Sequence, residues 1–556
     1  MSEQRKKNEK NFLVQGSILA IAGVITKLIG AFYRIPLLNI IGTEGNGYYS
    51  VAFSIYSVAL MLTSYSLPLA VSKLVSARVA VGEYKNAHKI FRGAMTFALL
   101  AGGLVALLVF FGADFIATTV MHLDKSAYAL RVLAPCILVV ALLGVLRGFF
   151  QGIGTMIPTA ISQVIEQIVN AVVSIVGAYV LLNAGKAVGK THGDKSFGPA
   201  YAAAGGTLGT VLGALSALIF VGIVFLAYNK VFKRKMKNDT SKRTEGYKRV
   251  YKVLFITIAP VILSATVYNI SDFVDTALFN NIMAAQGFTK KEYASLLGIF
   301  QGQYSTLINV PLSISSALAA SLVPSLVATV QTGNRKQVHD KINMVSRFNM
   351  LIAIPCAVGF VTLAKPILDL LYFTQDNTTA ALMLQLGALS VVFFCLSTVT
   401  NSVLQGLDDM MTPVKNAAIS LAIHIVALFV MLVVLKWNIY AVVLSKIIFA
   451  GAICILNAKA LRSRIGYVQE KKKTFAIPAL AAVIMGVIAM LVHLIFELFI
   501  SPYIATLLAL VAAVITYGVA IVALGGITES ELKGMPKGAL LVKICRKLHL
   551  IRGEYR

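Results

Sequence analysis

The chain has 556 residues, of which 58% are hydrophobic and 13% charged, with a formal net charge of +27 and a mean hydropathy of +0.81. So much apolar surface under so little charge excludes a water-soluble globular protein. The surplus Lys and Arg do not mark a nucleic-acid binder: they sit in short connectors without aromatic interleaving, where topology signalling and attraction to anionic lipid account for them.

Residues 1–10 are basic and polar, and no cleavage site follows the first apolar stretch, so that stretch is expected to remain as a helix and not leave as a signal peptide. A hydrocarbon core of ~30 Å takes about 20 apolar residues to cross as a helix. Fourteen stretches qualify: 12–40, 47–75, 91–112, 128–151, 157–183, 199–228, 252–281, 293–329, 346–372, 379–405, 414–435, 438–458, 475–500 and 503–526. The expected fold class is an all-α polytopic membrane protein with about 14 transmembrane helices. An even number returns both termini to one side.

The connectors alternate in charge. Arg5 to Lys7, then Arg78, Lys85, Lys89 and Arg92, then Lys230 through Lys252 fall on one side. So do Arg335, Lys336, Lys341 and Arg347, then Lys459, Arg462, Arg464 and Lys471 to Lys473, and finally the tail from Lys533 to Arg556. The other side holds few cations, chiefly Lys125, Lys186, Lys190, Lys195, Lys290 and Lys291. The positive-inside rule makes the first set and both termini cytoplasmic. Cys136, Cys356, Cys395, Cys454 and Cys545 form no CxxC pair and read as small buried hydrophobes. Past the last span, Thr528 to Glu531 fits a capping box, and Leu540, Leu541, Ile544 and Leu548 share a helical face. That pattern predicts a helix lying on the inner membrane surface.

Two stretches recur 251–255 residues apart. Gly82, Lys85 and His88 match Gly333, Lys336 and His339 in spacing. Gln151-Gly152, followed by Met156 and Pro158, resembles Gln405-Gly406, followed by Met411 and Pro413. The offset covers six spans, so the copies run parallel, and parallel repeats are related by an axis along the membrane normal with the transport path between them. The expected domains are an N-lobe, 1–228; a basic linker, 229–251; a C-lobe, 252–461; two added helices, 462–527; and the tail, 528–556.

Two six-helix lobes, a basic linker and two extra helices resemble the multidrug/oligosaccharidyl-lipid/polysaccharide exporter superfamily. Lys27-Leu-Ile-Gly30-Ala-Phe-Tyr-Arg34-Ile-Pro36, Gly42-Thr-Glu-Gly45-Asn-Gly47-Tyr-Tyr49 and Ser66-Leu-Pro68-Leu-Ala-Val-Ser-Lys73 are similar to its polysaccharide-biosynthesis branch. That branch includes MurJ/YtgP-type lipid II flippases and SpoVB-like proteins.

Lys27 and Arg34 are seven residues apart, roughly 700° and ~10 Å along a helix, so they point to nearly the same side. Two such cations suit a diphosphate, Arg in forked contacts and Lys as a point charge. Alternatively, Arg34 snorkels to the outer interface and Lys27 pairs with an acid. The resemblance implies that basic residues flanking a Gly in this helix are needed for function; Lys27 and Arg34 flank Gly30 with one extra residue before Arg34. The branch also carries basic residues in helices two and eight, but here the positions near Ser64 and Gln301 are neutral and Lys73 sits later. Lys73 is either an inner-side cation or a border residue. Asp272 and Asp275 adjoin on one face of helix seven, suited to Na+, a shared proton or a salt bridge. Glu166 in helix five is a candidate partner of Arg147 or Lys27. Gln301, Ser305, Asn309 and Ser316 follow one side of helix eight, as a cavity stripe or as interhelical hydrogen bonds. Gly45-Asn46-Gly47 reads as a tight outer turn, and Pro36 and Pro68 as bends.

The candidate substrate-binding set is Lys27, Arg34, Lys73, Arg147, Gln301 and Asn309; the ion-coupling or gating set is Asp272, Asp275 and Glu166. No cofactor, metal site or enzymatic activity is expected. By resemblance, the chain would flip an undecaprenyl-diphosphate-linked saccharide, lipid II in first place, across a bacterial plasma membrane by alternating access, with H+ or Na+ as optional coupling ions. Rival readings are an exporter of another lipid-linked polysaccharide unit, a multidrug/cation antiporter whose cavity should be acidic, an enzyme on a lipid-linked sugar, and a scaffold.

Overall fold

Backbone amides in hydrocarbon have no water to bond, and helices satisfy them internally. The computed structural model describes residues 2–239, 241, 245–331, 334–527, 529 and 538–547, and these form helices and turns with no strand among them. In chain order the helices are α1 (Ser2–Thr63), α2 (Leu67–Ala80), α3 (Tyr84–Phe111), α4 (Ser126–Gly152), α5 (Ile157–His192), α6 (Phe197–Lys237), α7 (Tyr247–Ala285) and α8 (Lys290–Ile299). A π-helical turn, Phe300–Tyr304, leads into α9 (Ser305–Gln331). Then come α10 (Arg335–Thr362), α11 (Ala364–Leu371), α12 (Thr378–Gly406), α13 (Met411–Val433), α14 (Ile439–Ile465), α15 (Ile477–Glu497), α16 (Pro502–Ala523) and α17 (Gly538–Lys547).

Eleven helices among the described residues are long and apolar enough to cross a membrane. One of them, Ile25–Ala80, carries both expected spans 12–40 and 47–75. The expected spans 252–281 and 293–329 fall on α7 and on α8 through α9, outside those eleven. The capping box at Thr528 to Glu531, Gly333 of the first repeat and the last residues of the tail lie outside the described residues. In the tail, Val542 of α17 is buried against Ala481 and Ile521.

The expected turn at Gly45-Asn46-Gly47 is not a turn. The chain stays helical through these residues and breaks at Gly42, where φ is 71° and ψ is 176°. Pro36 sits inside α1, six residues before that break, so the glycine and not the proline supplies the bend. Gly47 serves close packing instead. A Cβ there would overlap the Ala294 carbonyl, and one on Gly298 would overlap the Thr43 carbonyl. Asn46 Nδ2 donates to the Gly298 carbonyl at 2.7 Å, tying α1 to α8 just before the π-turn. Pro68 does mark an interruption: α2 begins beside it, after a turn at residues 64–66.

The chain divides into two compact units, Met1–Gly302 and Gln303–Arg556, and the basic segment 229–251 lies within the first. In the first unit α5 and α6 pack backbone to backbone. Gly205, Gly209 and Gly213 recur every fourth residue of α6 and meet Gly177, Ser174 with Asn170, and Glu166 of α5, the small-residue spacing that lets membrane helices touch closely. Phe91, Phe149, Phe225 and Phe232 cluster, with the Phe149 centroid 4.9–5.4 Å from the other three, edge-on to Phe225 and Phe232 and tilted against Phe91.

Connectors expected on the same side meet within each unit. Asn280 and Asn281 donate to the Met121 and Val120 carbonyls at 3.0 and 2.8 Å, and Lys290 pairs with Asp124 at 2.9 Å. From the opposite set, Lys85 Nζ reaches the Asp239 carbonyl at 2.9 Å, and Arg78 pairs with Glu245. Burial raises the Asp239 carboxyl, yet hydrogen bonds from the Lys85 backbone N–H and Ser241 hold it below its usual range. In the second unit, Arg464 pairs with Asp409 at 2.7 Å, and Tyr467 donates to Asn343 at 2.8 Å.

The repeated motifs occupy matching local environments. His88 packs on Phe232, and His339 packs on Tyr467. A Cβ on Gly152 would crowd Val75 of α2, and one on Gly406 would crowd Leu326 of α9. Two residues on, Gly154 and Asp408 both take positive φ, 90° and 61°.

The α5–α6 interface makes a direct prediction. Gly209→Ala should destabilise the protein by about 1–3 kcal/mol or more, read as a lower melting temperature in detergent. Gly103→Ala has nothing within 4 Å of the new Cβ and should stay within about 0.5 kcal/mol of wild type.

Candidate functional site

Helix α1 exposes two different faces. At 100° per residue, Lys27 and Arg34 lie within about 20° of each other, while Leu28, Phe32 and Ile25 centre roughly 100–160° away. Those three apolar side chains are 48%, 67% and 42% exposed, as a lipid-facing stripe would be. Lys27 and Arg34 are exposed too, but on the separate, cationic stripe. Its neighbour is polar. Gly30 lies about 60° from the cations, and a Cβ on it would meet Gln167 Nε2 of α5 at 3.3 Å.

The α5 surface at this crossing is a ladder of polar groups. Ser162, Glu166, Asn170 and Ser174 follow at four-residue intervals, which aligns them along one helical row. Asn170 Nδ2 reaches Tyr33 Oη of α1 at 3.4 Å and Gln167 Oε1 at 3.1 Å. Ser174 Oγ donates to Asn170 Oδ1 at 2.9 Å or to the Gly206 carbonyl at 2.7 Å. Missing side chains at Gly205, Gly209 and Gly213 bring α6 close enough for that last contact.

Arg147 of α4 closes the lower rungs. Its Nη2 donates to Glu166 Oε2 at 2.8 Å, and its Nε to Ser162 Oγ at 2.9 Å. The two ion-pair side chains are 14% and 29% exposed, so their attraction is only partly screened. Of the two partners expected for Glu166, Arg147 is the one observed. Arg147 is therefore committed to a carboxylate in this state.

The other candidates are dispersed. Lys73 is exposed on α2, which buries Leu67, Ala70, Val71 and Val75. Asp275 of α7 is 2% exposed and receives Ser271 Oγ at 3.4 Å, whereas Asp272 is exposed. Gln301 is half-buried within the π-turn and belongs to the first unit; Asn309 is exposed in the second. Ser316 Oγ returns to its own helix, at the Leu312 carbonyl, 2.9 Å away, which weakens its reading as a cavity-lining group. Among the described residues no cluster of three or more metal-type ligands occurs, and Cys136, Cys356, Cys395 and Cys454 are free. Sequence reasoning missed Tyr33, Ser162, Ser174 and Asn46. The four-residue period along α5 was legible; the pairing of Asn46 with a distant carbonyl was not.

The fold and this polar seam within apolar helices define a multi-pass membrane protein. The lipid II flippase MurJ in its inward closed conformation shares the fold, with a TM-score of 0.62 at 15% identity, covering 90% of this chain and 97% of that one. The chain belongs to the polysaccharide biosynthesis protein family, whose sequence model matches residues 12–330. It is 24% identical to the lipid II flippase MurJ of Bacillus subtilis (strain 168) over 426 residues, 74% of this chain and 75% of that protein. It is 27% identical to the uncharacterized membrane protein YabM of the same organism over 555 residues, 97% and 98% of the two chains.

The Arg147–Glu166 pair yields a double-mutant test. Glu166→Gln strands a part-buried guanidinium and should cost about 1–3 kcal/mol. Arg147→Gln combined with Glu166→Gln should cost less than the sum of the single changes, by roughly 1 kcal/mol or more in melting measurements. Strict additivity would show that the two side chains do not act together.

Proposed function

We propose that this chain is a flippase that carries an undecaprenyl-diphosphate-linked saccharide from the inner to the outer leaflet of a bacterial plasma membrane, with lipid II as the first substrate. One observation carries the reading: Lys27 and Arg34 form an exposed cationic stripe distinct from the apolar exposed stripe of the same helix. A diphosphate is the lipid head group that such a stripe complements, through a forked guanidinium and a compact ammonium about 10 Å apart along the axis. The relatives named above support the same substrate class.

The proposed cycle is alternating access, in which the cationic stripe opens first to the inner and then to the outer side. The lipid tail stays in the bilayer. Both termini are cytoplasmic in this scheme, in line with the positive-inside rule and the distribution of Lys and Arg. An inside-negative potential favours outward movement of an anion by ~2.3 kcal/mol per charge per 100 mV. The Gln167–Asn170–Tyr33 contacts would hold α1 in register while the head group binds beside it. Arg147 is assigned a bracing role with Glu166, and Asp275, buried beside Ser271, is the better placed of the two α7 carboxylates to carry a coupling proton.

In cells depleted of their own lipid II flippase, the wild-type chain should restore growth and outer-leaflet lipid II. Lys27→Ala and Arg34→Ala should each lower the flipping rate about tenfold or more with membrane insertion intact, the loss expected for a charge-assisted contact of roughly 1.4 kcal/mol or greater. Full activity in the double variant sinks the cationic-stripe reading. A wild-type chain that inserts, fails here and restores export of a different lipid-linked glycan moves the substrate away from lipid II. Asp275→Asn should abolish any dependence of flipping on the pH gradient; a dependence that persists removes Asp275 from coupling.

A further inference from the structure

The second unit holds a cavity of about 400 Å3 at the tip of the α15–α16 hairpin, within the roughly 300–1,000 Å3 typical of small-ligand sites. Lys365, Asp369, His493 and Glu497 line it, together with apolar Leu363 and Leu494. None of these residues belongs to the transport candidates.

Its charges come in both signs, and several are fixed in place. Asp369 Oδ1 accepts a hydrogen bond from Asn377 Nδ2 at 2.8 Å. His493 is 7% exposed; its Nε2 lies 3.1 Å from Thr506 Oγ1 and its Nδ1 3.5 Å from Glu497 Oε2. Glu497 is thus oriented by a buried ring while its carboxylate stays 44% exposed. Lys365 stands in the first turn of α11, one turn before Asp369, and the start of α16 contributes Pro502 and Tyr503. Neither helix has a side-chain cap on its first amides, so both add partial positive charge to that of Lys365. The cavity therefore offers positive groups for an anion and carboxylates for a cation, with Lys365 and Asp369 one turn apart on α11.

The surroundings are those of an amphiphile's tail. Leu494 lines the cavity yet is 49% exposed, and Leu498 and Phe499 at the hairpin tip are 80% and 79% exposed. Apolar side chains so open at the end of two membrane-crossing helices belong among acyl chains.

We propose that this cavity binds the head group of a phosphatidylethanolamine-type lipid: the phosphate beside Lys365 and the starts of α11 and α16, the primary ammonium at Glu497 and Asp369, and the acyl chains along Leu494 and the hairpin tip. A primary ammonium donates hydrogen bonds to carboxylates, which a choline head group cannot do, and a glycerol head group brings no cation. This site is independent of the transport reading.

The test is lipid binding to the purified full chain in detergent, counted by native mass spectrometry. Phosphatidylethanolamine, phosphatidylglycerol and phosphatidylcholine are compared, with soluble glycerophosphoethanolamine as a fourth probe. Phosphatidylethanolamine should bind about fivefold or more tightly than the other two lipids, and Lys365→Ala and Glu497→Gln should each remove most of that preference. Leu494→Trp narrows the mouth without altering a charge, and it should weaken binding by a similar factor while the melting temperature measured without lipid stays unchanged. Equal affinity for all three lipids overturns the proposal, as does phosphatidylethanolamine binding that none of the three variants changes. Glycerophosphoethanolamine binding as tightly as the intact lipid would assign the cavity to a soluble ligand and overturn the lipid assignment.

Discussion

An ionised side chain in the middle of a membrane helix costs about 2.5–3.5 kcal/mol even on the mildest scales, and the first unit is organised around meeting that cost. It does so in two ways. Arg147 is matched to Glu166 and Ser162 by direct hydrogen bonds. Lys27 and Arg34 are turned away from the apolar stripe of their helix, next to a second helix that presents amides and hydroxyls. Both solutions depend on α5. One row of that helix serves Arg147, Tyr33 and the Gly206 carbonyl in succession, and the glycines of α6 allow the row to be reached from behind. Larger residues at those positions would separate α6 from the ladder and leave Ser174 with one fewer acceptor.

The two halves of the chain reach similar local arrangements with different side chains. A glycine near the end of α4 admits Val75, and its counterpart near the end of α12 admits Leu326. The following turn needs a left-handed residue, met by Gly154 in one copy and Asp408 in the other. Asp is among the few non-glycine residues that tolerate this conformation. A repeated histidine rests on a phenylalanine in one place and a tyrosine in the other. What the two places share is the steric requirement, met by different residues.

Much of the architecture was legible because hydropathy and charge report it directly. Long apolar runs became helices, and basic connectors assigned to one side met one another within each unit. The local breaks were less legible. Pro36 is the stronger textual signal for a bend, yet Gly42 carries it, because a proline can be absorbed in a helix whose freed carbonyl finds another partner, whereas φ of 71° ends the helical path outright. Gly45-Asn46-Gly47 has turn composition but serves a helix crossing, since what approaches Gly47 is the backbone of α8, and no pattern within α1 can announce a neighbour some 250 residues away. For the candidate site, helical periodicity placed Lys27 and Arg34 on one stripe. It offered Glu166 two partners without choosing, because the choice depends on how α4 and α1 each cross α5.

That choice has a consequence for how the cations divide their work. A substrate diphosphate seeking Arg147 would have to displace Glu166, leaving a carboxylate part-buried beside the incoming anion. The two negative charges would then repel each other in a medium of reduced dielectric, and the desolvation already met by the ion pair would be exposed again. Binding at Lys27 and Arg34 requires no such exchange with Glu166. In the proposed cycle the same reasoning would make Glu166 useful, since it pairs with a guanidinium that would otherwise compete for the head group. A transporter must bind its cargo weakly enough to let it go on the far side. Pairing Arg147 with Glu166 is a physical means to that end in the proposed cycle, in which the stripe on α1 would grip the anion.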